Sequence, residues 1–343
     1  MKKLLNTLYI TSYEKYLSLE GETIVVSEKG KECARIPLHN IESIVTMGYG
    51  GVSPALLGKC GEKGVLISFL SRNGKFLAHS VGPYNGNVVL RKTQYRYSDD
   101  ENICTEISKN ILKGKLFNSR CVVERAIRDY SASLDVEKLK KVSVDLKASI
   151  GNIDKCKNTQ ELRGVEGEAA SRYFSVLDDL ILQQKKDFTF NVRVRRPPTD
   201  PVNAMLSFSY SLLNGMITSA LYSVGLDPYV GFMHKDRPGR TSLSLDLMEE
   251  LRSVFADRFV LTAINKRIIN NNDFFTKENG AVYFTDDGKK KFLQSWQMKK
   301  QNTIVHPFLK EKVEWGMVPY VQALLLARFL RGDLDGYPPF LWK

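Results

Sequence analysis

A chain of 343 residues with 43% hydrophobic and 26% charged side chains has the balance of a folded protein, and length enough for two cores. No run of about 18 apolar residues occurs, which excludes a membrane-spanning helix and leaves no membrane partner to expect. Lysine and arginine outnumber aspartate and glutamate by 50 to 38, a net charge of +12, and a surface of that sign attracts polyanions, nucleic acid above all.

The chain starts MKKLLNTLYITSYEKYL, where polar Asn6 and Thr7 interrupt any apolar stretch of signal-peptide type, so the expected location is the cytoplasm. Up to about residue 95 the pattern is that of strands: LNTLYIT, YLSLEG, TIVVSE, ARIPL, ESIVTM, VLISFLS and KFLAHSV are short, rich in β-branched and aromatic residues, and separated by turn residues. Residues 28–31 and 72–75 read as hairpin turns, the Asn-Gly of the second suiting type I′ geometry. One helix, about residues 53–62, interrupts the strands. The stretch GKCGEKG that overlaps it lacks the Lys-Ser/Thr of a phosphate-binding loop. Five widely spaced cysteines with no C-x-x-C pair support neither a zinc knuckle nor a disulfide framework.

From about residue 99 the apolar spacing becomes helical. Helices are expected at 103–130, 162–184, 200–225, 242–268 and 319–332. The fold class is α+β with two domains: a small β-rich, β-sandwich-like N-terminal domain (1–95), a linker (96–104) and a larger all-α C-terminal domain (105–343).

Two sets of carboxylates stand out. Advancing about 100° per residue puts Glu166 on the same helix side as Ala169, Ala170, Tyr173 and Leu177, whereas Glu168 falls opposite, toward Arg172. A carboxylate on an apolar face must be paired, protonated or bound to a metal. Either a structural ion pair or a ligand role satisfies Glu166. The second set lies in GFMHKDRPGRTSLSLDLMEE, residues 231–250. Pro238-Gly239 breaks any helix there, and Thr241 or Ser242 caps the next one. On that helix Leu247, Met248, Leu251, Val254 and Phe255 form the apolar face, and Asp246, Glu249, Glu250 and Asp257 cluster on the other. By itself this is a solvated acidic face, with Glu250 in solvent. His234 adds an imidazole just before it, whereas His39, His79 and His306 read as structural. Glutamate, histidine and aspartate or glutamate together suit a magnesium or manganese ion, and Arg237 and Arg240 would hold phosphate beside it.

Arg163-Gly-Val-Glu166-Gly, Asp200-Pro-Val-Asn203-Ala, and Gly231-Phe-Met-His234-Lys-Asp-Arg-Pro-Gly-Arg240 followed by Leu245-Asp246-Leu-Met-Glu249-Glu resemble the CRISPR-associated integrase family of the spacer-acquisition complex. The resemblance covers essentially the whole chain, the β-rich and the helical halves alike, and the ending at Gly336-Tyr-Pro-Pro together with the Arg-Pro-Gly-Arg loop is similar to the branch that accompanies type I-C systems. The resemblance implies a prokaryotic metal-dependent DNA integrase and endonuclease that inserts spacers into a CRISPR array. It places metal ligands on Glu166, His234 and Glu249, with Asp246 as a further catalytic position that orients a water, the histidine or the attacking hydroxyl. Glu249 stands where some relatives carry aspartate, which keeps the carboxylate. The implied cofactor is Mg or Mn. The implied partners are DNA (spacer precursor and repeat), a second copy in a homodimer, a small ferredoxin-like CRISPR-associated protein and an end-processing CRISPR-associated nuclease.

DNA is expected over Arg193, Arg195 and Arg196, Arg237 and Arg240, and Lys289, Lys290 and Lys291. Asn203, Ser207 and Tyr210, about one turn apart on their helix, suit either phosphate contact or hydrogen bonding within the core. Two other readings of the residues are a non-catalytic architectural DNA binder and a metal-dependent defence nuclease that does not integrate.

Overall fold

Alternation of apolar and polar side chains gives the first part of the chain its strands. The computed structural model describes residues 7–12, 14–47, 50–71, 76–80, 82 and 88–342. Strands β1 (Thr7–Ile10), β2 (Lys15–Glu20), β3 (Thr23–Glu28), β4 (Lys31–Pro37), β5 (Ser43–Met47), β6 (Leu66–Leu70) and β7 (Phe76–Ser80) occupy the expected segments, with α1 (Pro54–Lys63) between β5 and β6. Strands β2, β3 and β4 form an antiparallel sheet. A second sheet runs β1-β5-β6-β7, parallel except at β6–β7. The β3–β4 turn holds Lys29 at φ 51° and Gly30 at φ 80°, the two positive angles of a type I′ hairpin. The other expected turn, 72–75, lies outside the described residues. Ile10, Leu17, Ile24, Val26, Ile44 and Ile67 form one apolar cluster that joins the two sheets.

The helical part begins earlier than its spacing suggests. Helix α2 (Val88–Ser98) is followed by a break at Asp99 and Asp100 and then by α3 (Glu101–Tyr130), so residues 96–104 are largely helical. Leu90 of α2 packs into the core of the helical part. Next come α4 (Val136–Ile153), α5 (Thr159–Phe174), α6 (Pro201–Val224), α7 (Ser242–Leu251), α8 (Arg258–Asn265), α9 (Asp286–Gln301) and α10 (Val318–Leu330). Two small antiparallel hairpins, β8 (Phe274–Thr276) with β9 (Val282–Phe284) and β10 (Thr303–Val305) with β11 (Lys312–Glu314), punctuate the last third. Among the described residues no helix is long and apolar enough to cross a membrane.

Two of the expected helices differ in extent. The one that carries Glu166 stops at Phe174 and continues as turns rather than reaching residue 184. The one that carries Glu249 is divided: between α7 and α8 the backbone forms a π-helical turn, Arg252–Asp257. A π turn takes an extra residue into the helix, so a 100° phase counted from Asp246 no longer holds beyond it.

Candidate active site

Helices α3, α5 and α7 frame the site. At Gly114 an added Cβ would lie 3.1 Å from the Cβ atoms of both Glu250 and Pro339, so the missing side chain lets α3 lie directly against α7. The next residue, Lys115, therefore enters the interface between the helices. Helix α7 is buried on all sides, with Asp246 and Glu250 0% exposed and Glu249 3%; Asp257, in the π turn beyond it, is 1% exposed. The solvated acidic face expected from the sequence is thus absent. Each carboxylate has found a partner instead.

Glu250 corrects the expectation most directly. It accepts a hydrogen bond from the Tyr337 hydroxyl, one from Phe340 N at 2.6 Å, and one from Gln322 Nε2 at 3.2 Å on each carboxylate oxygen. Burial pushes its carboxyl up to about 7, against the pull of these donors. Its work is to tie α7 to the C-terminal segment rather than to face water. Asp257 accepts from the Tyr210 hydroxyl at 2.6 Å, and burial pushes it up to about 6.

Asp246 closes around the histidine loop. One oxygen accepts from Phe232 N (2.7 Å) and Met233 N (3.0 Å); the other from His234 N (2.9 Å) and, at 2.6 Å, bonds His234 Nδ1. A Cβ at Gly231 would stand 2.8 Å from Asp246 Oδ2, so this cradle requires glycine. Arg163 fixes the loop from the other side, donating Nη2 and Nε to the Met233 carbonyl at 2.6 and 3.1 Å. With Asp246 fully occupied, its place is behind the histidine. A carboxylate oxygen that accepts from Nδ1–H selects the tautomer that leaves the Nε2 lone pair free.

Glu166 and Glu249 come together across a residue that the sequence did not single out. The Lys115 ammonium is bonded to Glu166 Oε1 and lies 2.6 Å from Glu249 Oε2. Arg252 Nη2 pairs with Glu249 Oε1 at 2.7 Å. Burial raises the pKa of Glu249, but Arg252 and Lys115 outweigh it and hold the carboxyl below its usual range. Glu168 pairs with Arg172 at the surface, as expected.

Glu166, His234 and Glu249 line one cleft of about 1700 Å³, which also takes in Tyr9, Ser43 and His79 of the strand region. Among the described residues no three His, Cys, Asp or Glu side chains close around one point at ligand distance. The two carboxylates close on the Lys115 ammonium instead, which shows that their oxygens reach a common cation. Two carboxylate donors converging on one positive charge, beside an imidazole held in one tautomer, fit a divalent ion.

The basic residues divide. Arg193, Arg195, Arg196, Arg237 and Arg240 all line the cleft. Arg195, Arg196 and Arg237 are exposed. Arg193 is half-buried and committed to the protein: it donates to Asn203 Oδ1 at 2.7 Å and Ser207 Oγ at 3.0 Å, and stacks 5.3 Å from the Tyr210 ring centre. Arg252 covers the same ring at 4.9 Å. Asn203 is not a DNA contact: it is fully buried, with its amide nitrogen on Val192 O and Asp200 Oδ2 and its oxygen on Arg193 and Val194 N. The lysine run does not form one patch either, because consecutive residues on α9 diverge by about 100°. Lys289 is buried and lines the cleft, Lys290 lies 3.5 Å from Asp287, and Lys291 pairs with Asp273 at 2.6 Å. His306 is structural, as expected, buried against Gln322 at 3.1 Å.

Residues 8–298 match the family model described as CRISPR associated protein Cas1. A CRISPR-associated endonuclease Cas1 of Chlorobaculum tepidum is 46% identical over the whole of both chains. A Cas4/Cas1 fusion of Geobacter sulfurreducens, named as an exonuclease and endonuclease, is 32% identical over 98% of this chain and 60% of its own length. Among solved structures, a casposase bound to its integration product superposes with a TM-score of 0.84 at 22% identity, covering 98% of this chain and 94% of the other. A Cas6-RT-Cas1–Cas2 complex superposes at 0.82 with 19% identity, covering all of this chain and 36% of that one. The chain belongs to the Cas1 family of CRISPR-associated proteins.

Proposed function

We propose that the protein is a metal-dependent DNA integrase that joins the 3′ end of a spacer precursor to the leader-repeat boundary of a CRISPR array. The observation that carries this reading is that Glu166, His234 and Glu249 line one arginine-lined cleft, with Glu166 and Glu249 drawn to one cation and Asp246 holding the histidine from behind. Magnesium or manganese held by Glu166, His234 and Glu249 would supply Lewis-acid stabilisation of charge on the phosphoryl oxygens.

The chain's own groups do the rest. Asp246 and Arg163 keep the histidine loop rigid, so the imidazole meets its ligand without reorganisation. Exposed Arg195, Arg196 and Arg237 bind the DNA phosphates on either side of the reacting bond. In the exchange, a 3′-hydroxyl oxygen bonds to phosphorus, the phosphorus bond to the displaced 3′ oxygen breaks, and that oxygen takes up a proton as the attacking hydroxyl loses one. Replacing the hydroxyl by water turns the same site into an endonuclease. The resemblance in its motifs, the Cas1–Cas2 assembly among its structural neighbours and the Cas4/Cas1 fusion among its relatives support a homodimer that works with a small ferredoxin-like protein and an end-processing nuclease.

Precursors with free and with dideoxy-blocked 3′ ends distinguish integration from degradation. Integration predicts joined product only from free ends, in the presence of Mg or Mn. Equal DNA breakdown from both precursors, without joined product, would mean a defence nuclease.

A further inference from the structure

Lys115 is placed unlike any other lysine of the site. It sits on α3 one residue after Gly114, is 7% exposed, and its ammonium bridges Glu166 of α5 and Glu249 of α7. Both partners are carboxylates that the proposed reading assigns to the metal. Lys113, two positions earlier, makes an ordinary surface pair with Asp154 at 2.6 Å.

We propose that Lys115 is a resident competitor for the divalent cation: its ammonium holds Glu166 and Glu249 together in the metal-free protein and must withdraw when the ion enters. This inference rests on the metal reading of the site. Without a cation between them, two carboxylates this close would repel across a poorly solvated gap. The ammonium removes that repulsion and keeps α5 and α7 in register, so the ligand oxygens are preformed. The same contact opposes metal binding, because the ion must displace a charge already paired with its ligands.

The displaced side chain has somewhere to go. A cavity of about 20 Å³, room for one water-sized group such as the ammonium, is lined by Lys115, Ala169, Tyr173, Glu249, Arg252 and Asp257. Its Asp257 carboxylate offers the ammonium a new acceptor beside the Tyr210 hydroxyl. Arg252 also pairs with Glu249, so that carboxylate has two cationic partners, of which the ion would replace only Lys115.

Calorimetric titration of Mn²⁺ into the full-length protein, without DNA, tests this separately from activity. Lys115→Met, which keeps the volume and removes the charge, is expected to bind Mn²⁺ about tenfold more tightly than the wild type and to melt at a lower temperature in the absence of metal, with the difference erased by saturating Mn²⁺. Lys115→Arg, which keeps the charge, is expected to bind at the wild-type level. Wild-type binding that is lost in Glu166→Gln, together with equal or weaker binding in Lys115→Met, would overturn the competition and leave the metal site standing. No binding to either the wild-type protein or Lys115→Met would overturn the metal reading and the competition together.

Discussion

His234 Nδ1 lies 2.6 Å from Asp246 Oδ1, and the same carboxylate accepts the backbone N–H groups of Phe232, Met233 and His234 itself. One buried side chain therefore sets both the path of the loop and the orientation of its imidazole. Asp246→Asn would turn an NH2 toward N–H donors whichever way the amide faced. We expect a loss of about 1–3 kcal/mol in stability. Strand joining should fall by roughly 10- to 100-fold, as for removal of an outer-sphere partner of a metal-binding histidine. Duplex affinity should be unchanged, which a filter-binding assay on the same preparation checks.

Gly231 makes the same point through space rather than charge. A methyl group there would press on Asp246 Oδ2 at 2.8 Å and on the Ser242 backbone at 2.9 Å. Gly231→Ala is expected to cost about 1–3 kcal/mol in chemical denaturation, as overpacking does. It should slow joining as well, since the carboxylate must shift.

Glu250 gives a pH signature. Its carboxyl is raised to about 7 in the folded protein by burial, above the unfolded value near 4.5, so the folded state holds the proton longer. Its contribution to stability is complete below the unfolded pKa and declines as pH rises from about 4.5 to 7, by about 3 kcal/mol in all. Glu250→Gln, which cannot ionise, removes that decline. Urea denaturation of the two proteins at pH 5 and pH 7.5 should show the variant gaining on the wild type at the higher pH. A constant difference across the range would mean that Glu250 does not titrate there.

Much of this site was readable in the sequence because its chemistry is unusual for its surroundings. A glutamate among alanines and a tyrosine marked Glu166, and a histidine before a basic Pro-Gly loop marked His234. Lys115 was not readable: on a long helix rich in lysine it looks like Lys113, and only the approach of α3 to α7 over Gly114 buries one and not the other. Glu250 was misread because two-sided burial of a ten-residue helix depends on the C-terminal segment folding over it, a contact made across 87 and 90 residues. Asn203 carried a correct signal with a different meaning, since its position after Asp200-Pro201 marks a helix start that its amide braces. Helix α4 was overlooked although Leu139, Val142, Leu146 and Ile153 have regular helical spacing.

The division of the basic residues predicts two kinds of variant. Arg195→Ala and Arg237→Ala should weaken DNA binding regardless of sequence, each lowering the salt dependence of log K by about one. Lys290→Ala, on a face away from the cleft, should leave both affinity and salt slope at wild-type values.

In the proposed reaction His234 belongs to the reacting site and not to the DNA-binding surface. The most direct measurement is the single-turnover rate of strand joining by His234→Ala, with Mn²⁺ and a free 3′ end, alongside its duplex affinity. A fall of about a thousandfold or more with affinity retained is the predicted result, on the scale of removing a group that acts only in the transition state. Joining at the wild-type rate would contradict it.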